Sequence, residues 1–320
     1  MFGFLNIDKP QWVTSRDAVD RVKWAVRPHK VGHAGTLDPL ATGVLVVCVG
    51  QATRLAEQVQ RHPKAYDATF LLGRVSDTED TEGVVTELPD APRVDHLQLA
   101  AVLPQFIGRI PQVPPAYSAV KVDGRRAYKL ARRGHAVQLE ARPVDIHQLE
   151  IVEFEYPRLC LRIVCGSGTY IRSLGRDLAR AVGTEAVMTA LRRDWIGPFH
   201  VESALPMDAI HRDTIAQHLQ SPLTALAPCR RRILTPDEET HTRNGRYILR
   251  GQIDEPLSWH DPESPSATPK GNSSDFARLA VDHETIAAVN GSGELVAILR
   301  ERGDDQLGPS LVFPVHESTN

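Results

Sequence analysis

The alternation of apolar and polar positions predicts a strand, a helix and a second strand in the first 50 residues. The segment Phe2 to Ile7 is mostly apolar and has the length of a short strand. Ser15 is a residue type that caps helices, and apolar positions follow it at helical spacing, which predicts a helix from Ser15 to about Val26. Val44 to Val49 is a continuous apolar run, which is typical of a buried strand.

The next hundred residues mix both kinds of element. We expect a polar helical stretch at Leu55 to Gln60 and a strand at Ala65 to Leu72, where Tyr, Thr and Phe favour extended backbone. Strand propensity returns at Val84 to Leu88. A helix is predicted from about Asp95 to Phe106, and the prolines between Pro111 and Pro115 then favour an extended path.

A hairpin followed by a helix is predicted further along. Val144 to Phe154 and Leu159 to Cys165 are rich in Ile, Val and Leu and flank a Tyr-Pro turn, and Thr169 to Ala181 has a helical pattern. The glycines of Gly166-Ser167-Gly168 do not indicate a nucleotide site, because the third glycine of the dinucleotide motif and the Walker lysine are both missing. This mixture predicts an α+β fold with a mixed, largely antiparallel central sheet flanked by helices.

Length and composition set the class of protein. The chain has 320 residues, 42% of them hydrophobic, which favours two domains with packed cores. Its N-terminus lacks the pattern of a signal peptide and no run is long enough to span a bilayer, so we expect a cytoplasmic protein. The four cysteines lack Cys-x-x-Cys spacing, which indicates neither a zinc site nor a disulfide framework, and no motif for a cofactor is found.

The formal net charge of −3 conceals segments of opposite sign. Residues 101–200 carry 15 Lys and Arg against 9 Asp and Glu, a balance of +6, whereas residues 251–320 carry 4 against 12, a balance of −8. Within the basic part, lysines and arginines cluster with tyrosines, a pattern typical of segments that bind phosphates and stack on bases. A solvated helix face gives the same pattern. The basic and tyrosine residues concerned are Tyr117, Lys121, Arg125, Arg126, Tyr128, Lys129, Arg132 and Arg133.

One acidic side chain stands out in a shaped loop. Residues 32–43 read Gly-His-Ala-Gly-Thr-Leu-Asp-Pro-Leu-Ala-Thr-Gly, so that Asp38 lies between glycines, before Pro39 and a buried strand. This placement suits a catalytic carboxylate and equally an ordinary turn residue. Arg172 and Arg176 lie one turn apart on the predicted helix, and a guanidinium from either would hold the carboxylate ionised and oriented.

Together, the motifs closely resemble those of the TruB-type tRNA pseudouridine synthases, which isomerise uridine 55 in the T loop of transfer RNA. The resemblance runs over about the first 200 residues. It rests on Asp8-Lys9-Pro10 with Thr14 and Ser15, the whole segment 32–43, Lys64-x-Tyr66, Pro114-Pro115-x-Tyr117-Ser118-Ala119-x-Lys121, Gly168-Thr169-Tyr170-Ile171-Arg172, Leu191-Arg192-Arg193 and Gly197-Pro198-Phe199.

The resemblance implies a role for each of these residues. Asp38 would be the nucleophile, attacking either the sugar or the base, and the reaction needs no cofactor. Tyr66 would stack on the target base and take part in proton transfer, Arg172 would pair with Asp38, and Leu191 would pack nearby. His33 would enter the RNA as the base flips out, although a histidine bonded within its own loop is the ordinary alternative. Further substrate contacts would come from Lys9, Lys64, Tyr170 and Lys121.

The same resemblance divides the chain and names its partner. Residues 1–228 would form the catalytic domain, with an RNA-clasping arm near 114–134, and residues 229–320 a divergent, β-rich PUA-like domain with a flexible insertion at 258–274. Because the latter region is acidic, we expect it to add little affinity for RNA. The partner would be the T stem-loop of tRNA without a guide RNA, and a monomer is the default.

Two other functional classes fit the sequence. A relative that modifies ribosomal RNA would depend on a guide RNA and partner proteins. A non-catalytic RNA-binding or RNA-folding module would bind RNA and leave it unmodified. The acidic C-terminal segment argues against the first, and the presence of Asp38, Tyr66 and Arg172 argues against the second.

Overall fold

The structure of the chain is a computed structural model. It describes residues 1–118, 120–122, 124–131, 133, 138–256, 276, 282–303 and 305–314. The predicted insertion at 258–274 lies outside these residues, as do Ala119, Arg132 and Gly134 of the predicted arm.

Strands make up most of the regular structure. In chain order they are β1 (Gly3–Lys9), β2 (Val31–His33), β3 (Thr42–Val49), β4 (Lys64–Leu72), β5 (Arg74–Val75), β6 (Thr86–Glu87), β7 (Gly108–Gln112), β8 (Lys121–Val122), β9 (Arg125–Arg126), β10 (Arg142–Glu155), β11 (Arg158–Cys165), β12 (Ala186–Ile196), β13 (Phe199–His200), β14 (Leu205–Pro206), β15 (Cys229–Ile233), β16 (Ile248–Leu249), β17 (Asp282–Val289), β18 (Leu295–Glu301) and β19 (Gln306–Val312).

The helices are short. The α-helices are α1 (Ser15–Ala25), α2 (Ala56–Arg61), α3 (His96–Val102), α4 (Ala127–Ala131), α5 (Ile171–Ala181) and α6 (Pro236–Arg243). Single 3-10 turns lie at Gly50–Leu55, Leu103–Phe106, Val201–Ser203, Met207–Ala209, Ile215–His218 and Pro222–Leu226. Within the described residues no helix is both long and apolar enough to cross a bilayer.

A large mixed sheet organises the first two thirds of the chain. Within the described residues it has ten strands, in the order β14-β1-β3-β12-β4-β11-β10-β7, with β2 and β13 paired at the side. The pairs β1–β14 and β3–β12 are parallel and the others antiparallel. The predicted fold class, α+β with a mixed, largely antiparallel sheet, is therefore confirmed.

Strand β3 is apolar throughout because both of its faces are buried. Leu45, Val47 and Val49 pack with α1 and α5 in one core. The alternate residues Val44, Val46 and Cys48 pack on the opposite side in a second core, with Phe4, Leu226 and residues of β17 and β18. The sheet is thus covered by helices on one side and, around β1 and β3, by the C-terminal region on the other.

The C-terminal region forms a second, five-stranded sheet in the order β15-β17-β18-β19-β16, counted within the described residues. Together with α6 it agrees with the predicted small β-rich PUA-like domain. This sheet and the residue after it, Phe313, contribute to the core shared with β3 through Ala287, Leu295, Ile298 and Phe313. The ring of Phe313 stacks on Phe2, with centroids 5.2 Å apart, so the start of the large sheet packs directly on the end of the described C-terminal region.

Most predicted elements are present, three differ in detail, and one long strand was not predicted. Ser15 does not cap α1: Thr14 does, since its hydroxyl accepts from the backbone N–H of Asp17, and the hydroxyl of Ser15 turns inward to Leu37. The strand expected at Val84 to Leu88 shrinks to Thr86–Glu87. The predicted helix from Asp95 is α-helical only through Val102 and then tightens into a 3-10 turn. The long central strand β12 is not predicted by the sequence pattern.

Candidate active site

A cleft of about 1090 Å³ opens beside the central strands of the large sheet. Its walls come from the Asp38 loop, from β4 and β12, from the segment 77–86 and from the start of α5. The residues that line this cleft include Asp38, Lys64, Tyr66, Asp80, Tyr170, Arg172, Leu191 and Arg193.

The N-terminal segment fixes the peptide on both sides of Asp38. The hydroxyl of Ser15 donates to the carbonyl of Leu37 at 2.8 Å and accepts from the N–H of Leu37 at 2.9 Å. On the other side, the carbonyl of Pro39 accepts from the N–H of Trp12 at 2.7 Å and from the ammonium of Lys9 at 3.3 Å. The Asp38 loop is therefore held rigidly, and its side chain, 35% exposed, is presented to the cleft.

Arg172 holds Asp38 from the first turn of α5. Its Nε lies 3.0 Å from Oδ2 of Asp38. Nη1 donates to the carbonyl of Thr78 at 2.7 Å, and Nη2 donates to the carbonyl of Tyr117 at 3.1 Å. A buried guanidinium with these partners has one orientation, so it fixes the direction of the carboxylate it pairs with. Of the two arginines that the sequence offered, the structure brings Arg172 to Asp38.

A second carboxylate supports Arg172 from behind. Oδ2 of Asp80 lies 3.5 Å from Nη1 of Arg172, and Oδ1 accepts from the hydroxyl of Thr78 at 2.6 Å. Burial raises the pKa of the Asp80 carboxyl, against the opposing effects of Thr78 and Arg172. Arg176, one turn further on α5, pairs with Glu79 and donates to the carbonyl of Val113 at 2.9 Å. The segment 77–82 thus clamps α5 through both arginines.

Tyr66 forms the aromatic wall and lies against a buried cation. Cζ of Arg193 is 6.0 Å from the centroid of the Tyr66 ring. Arg193 is 1% exposed, and its guanidinium donates to the carbonyls of Val44 at 2.7 Å and Gly35 at 3.2 Å. Burial raises the pKa of the Tyr66 hydroxyl, and the positive charge of Arg193 acts in the opposite direction. Arg193 therefore both spans the Asp38 loop and modifies the electrostatics of Tyr66.

Lys64 lies two residues before Tyr66 on the same face of β4. Its ammonium donates to the carbonyls of Gln60 and His62, both at 2.6 Å. Burial, with a contribution from Arg193, lowers the pKa of Lys64 to about 8, whereas the nearby thiol of Cys165 has the opposite effect. The cleft thus contains an amine that can lose its proton close to neutral pH.

The other predicted site residues fall into three groups. Tyr170 and Leu191 line the cleft, and their contact with substrate stays a prediction. Lys9 and His33 lie outside its lining: the ammonium of Lys9 donates to the carbonyls of Pro10, Val13 and Pro39, and burial lowers its pKa to about 8. Nδ1 of His33 is buried with no hydrogen-bond partner among the described residues. For Lys121 only the backbone, in β8, is described.

Three residues at or beside the cleft are missed by the sequence reasoning. Asp80 lies in an ordinary acidic segment, and Arg193 lies in a motif without an assigned role. Trp12 follows a motif as a plain hydrophobic residue. For Arg193 the sequence holds one signal: alternation along a strand places it on the same face as Leu191, which was assigned to the site.

Comparison with solved structures gives the fold class. The chain is similar, with a TM-score of 0.69, to a protein in a solved H/ACA RNP bound to a substrate RNA containing 2′-deoxyuridine, at 21% identity and covering 99% of this chain and 86% of that one. An archaeal box H/ACA sRNP complex gives a TM-score of 0.68, also at 21% identity. These likenesses assign the large sheet and its cleft to the pseudouridine synthase fold.

Sequence comparison gives the family. Residues 23–171 match the model of the TruB family pseudouridylate synthase N-terminal domain. The chain is 42% identical over 248 residues to a tRNA pseudouridine synthase B of Dinoroseobacter shibae, covering 76% of this chain and 81% of the relative. It is 41% identical over 256 residues to a protein of that name from a Mycobacterium species, covering 79% and 86%. The chain belongs to the TruB family of pseudouridylate synthases, and it is an isomerase.

Proposed function

We propose that this protein isomerises uridine 55 in the T loop of tRNA to pseudouridine, with Asp38 as the nucleophile. The observation that carries the proposal is the pairing of Asp38 with the buried Arg172 in a cleft walled by Tyr66 and Leu191. The relatives named above carry the name tRNA pseudouridine synthase B, which supports tRNA as the substrate.

The reaction needs a nucleophile and a protected cavity. Along one route, an oxygen of Asp38 bonds to C1′ of the ribose while the N1–C1′ bond breaks and its electron pair leaves with uracil. Along the other, the oxygen first adds to C6 of the base, the C5=C6 electron pair moves onto C5 and the C4 carbonyl, and the N1–C1′ bond then breaks with its electron pair remaining on N1. In both, the base turns, C5 bonds to C1′, C5 loses its proton, and N1 takes up a proton. The bond to Asp38 also breaks in both: C5 displaces the carboxylate from C1′ on the first route, and the carboxylate leaves C6 as the C5=C6 double bond forms again on the second. Atoms and electrons balance without a cofactor.

Arg172 suits Asp38 to this step. A carboxylate paired with a fixed guanidinium is held in one orientation, as a nucleophile must be. The family resemblance gives Tyr66 a place stacked on the target base and a part in proton transfer. The charge of Arg193 next to that ring favours the ionised form of the hydroxyl, against the effect of burial.

The uridine must leave its stack to reach this cleft. Flipping costs a few kcal/mol, which phosphate contacts and a residue filling the vacated space offset. The arm near 114–134 would supply the contacts to phosphate and His33 the filling side chain. The arm contacts the residue that pairs with Asp38, because the carbonyl of Tyr117 accepts a hydrogen bond from Arg172. RNA bound by the arm would therefore influence the group that orients Asp38.

The experiment uses the purified full chain, an unmodified T-arm stem-loop, and no guide or cofactor. Pseudouridine is mapped with a base-specific chemical label, and RNA binding is measured in parallel. Asp38→Asn is the test variant. Asp67→Asn is the matched control, because Asp67 also pairs with an arginine, Arg162, and its side chain is 39% exposed on the opposite face of β4.

We expect pseudouridine at the single T-loop target with the wild type and with Asp67→Asn, and none with Asp38→Asn, which should still bind RNA. Binding without any modification by the wild type would contradict the proposal and favour a guide-dependent enzyme or an RNA-folding module. Full activity of Asp38→Asn would exclude Asp38 as the nucleophile. Modification at another uridine would contradict the assigned position.

A further inference from the structure

Trp12 has an unusual backbone conformation directly beside the cleft. Its φ is +65°, in the left-handed region that favours glycine, and its N–H donates to the carbonyl of Pro39 at 2.7 Å. Pro39 follows Asp38 and lines the cleft. The bond that helps to fix the Asp38 loop therefore places Trp12 at the border of the cleft.

The side chain at this position is not explained by packing. Trp12 is 61% exposed, although tryptophan buries more apolar area than any other residue when it enters a core. A bulky side chain is disfavoured at positive φ, and glycine would make the same backbone bond to Pro39 without that cost. Neither folding nor the fixing of Pro39 thus requires an indole here.

Trp24 offers an internal comparison. It is also exposed, at 51%, but it lies within α1 in ordinary helical backbone, and Cζ of Arg21 covers its ring at 5.8 Å. Among the described residues, α1 contributes none to the lining of the cleft. Trp12 and Trp24 therefore differ in backbone conformation and in position, and of these two only Trp12 lies next to the Asp38 loop.

We propose that the indole of Trp12 is a stacking surface for an unpaired RNA base next to the flipped uridine. This inference rests on the proposed function, since it requires RNA in the cleft. When one base leaves the stack, its neighbours lose a stacking partner, and exposed aromatic rings at the border of a site replace it. Stacking needs a flat, accessible ring, and the backbone bond to Pro39 fixes the position of the Cα from which this ring extends.

The test compares Trp12→Gly and Trp12→Phe with Trp24→Ala in binding to the unmodified T-arm stem-loop at one fixed salt concentration. We expect Kd to rise about tenfold for Trp12→Gly, by the contribution of one base–aromatic stack. Trp12→Phe should recover part of the loss, and Trp24→Ala should bind as the wild type does. Because glycine suits the positive φ, Trp12→Gly should keep its melting temperature, so a loss of binding is not a loss of fold.

Tryptophan fluorescence gives a second readout that a purely structural role would not change. Stacking on a base should quench the wild type when RNA is added, and this quenching should persist in Trp24→Phe and disappear in Trp12→Phe. If the wild type is active and the Trp12 variants show the same Kd and the same quenching as the wild type, the inference is overturned and the proposed function stays intact. A wild type that neither binds nor modifies the RNA would overturn the proposed function itself.

Discussion

Nε of Arg172 lies 3.0 Å from Oδ2 of Asp38, while the rest of the same guanidinium is bound to the carbonyls of Thr78 and Tyr117. The ion pair is therefore part of a network that joins α5, the segment after β5 and the start of the predicted RNA-clasping arm. A change in any of these partners turns the guanidinium and with it the carboxylate.

Replacing Arg172 with lysine should lower turnover far more than RNA binding. Lysine keeps the charge but cannot hold Asp38 and two carbonyls in one plane, and misplacing a reacting group by about 1 Å costs about 100-fold in rate. Single-turnover rates and Kd for the T-arm stem-loop measure the two effects. Arg180→Lys, on an exposed arginine of the same helix, is the control and should be unchanged. Equal losses in rate and binding would contradict an orienting role.

Gly43→Ala should destabilise the protein much more than Gly108→Ala. Both glycines have positive φ, +95° and +93°, but a Cβ at Gly43 would lie 2.2 Å from the backbone oxygen of Arg193, whereas a Cβ at Gly108 would meet nothing within 4 Å. We expect the free energy of unfolding to fall by about 1–2 kcal/mol at Gly108 and by about 3 kcal/mol or more at Gly43. Urea denaturation gives both values, and equal losses would show that β3 and β12 can separate without cost.

Arg193→Met should remove stability and activity together. The buried carbonyl of Val44 and the part-buried carbonyl of Gly35 lose a donor, which costs about 1–3 kcal/mol each, and the Asp38 loop loses a support. The matched control is Arg192→Met, because the next residue points to the other face of β12 and its side chain is 43% exposed. Chemical denaturation should show about 2–5 kcal/mol for Arg193 and less than about 1 kcal/mol for Arg192. A stable, active Arg193→Met protein would refute the role given to this cation.

Lys64 should make stability depend on pH. Its folded pKa of about 8 lies below its ordinary value of 10.5, so between these values the unfolded chain carries a proton that the folded chain has lost. The free energy of unfolding contributed by Lys64 therefore rises with pH across this window, by up to about 1.4 kcal/mol per pH unit, and the penalty for burying the charge is greatest below pH 8. Urea denaturation at several pH values should show this slope in the wild type relative to Lys64→Met. Lys23→Met, on an exposed lysine of α1, should keep the wild-type slope, and a slope shared by both variants would disprove the assignment.

The sequence predicts the Asp38 loop well because its signals are local. Glycines, Pro39 and the adjacent apolar run specify a shaped turn before β3, and the structure has that turn. The helix that carries Arg172 is predicted for the same reason. Residues within one segment determine such features, so they can be recognised without the tertiary contacts.

What the sequence does not predict depends on contacts between distant segments. Strand β12 contains three consecutive charged residues, Arg192, Arg193 and Asp194, a pattern that does not predict a buried strand. Arg193 is nevertheless buried, because carbonyls of the Asp38 loop and of β3 accept hydrogen bonds from its guanidinium. The resemblance assigns Lys9 to contact with RNA, and the structure surrounds its ammonium with three carbonyls, those of Pro10, Val13 and Pro39. The assignment of Lys9 and His33 to the substrate stays a prediction, and the positive φ of Trp12 has no signature in residue type at all.

The packing of Phe313 on Phe2 bears on how the chain matures as it is synthesised. The side of β1 and β3 that carries Phe4, Val44 and Val46 is covered in part by residues of β17, β18 and Phe313. While those residues are still inside the ribosome, the nascent large sheet has an apolar face open to water. The scaffold of the Asp38 loop can therefore become fully protected only after translation has passed residue 313, and protease sensitivity of ribosome-bound chains of increasing length would reveal that late step.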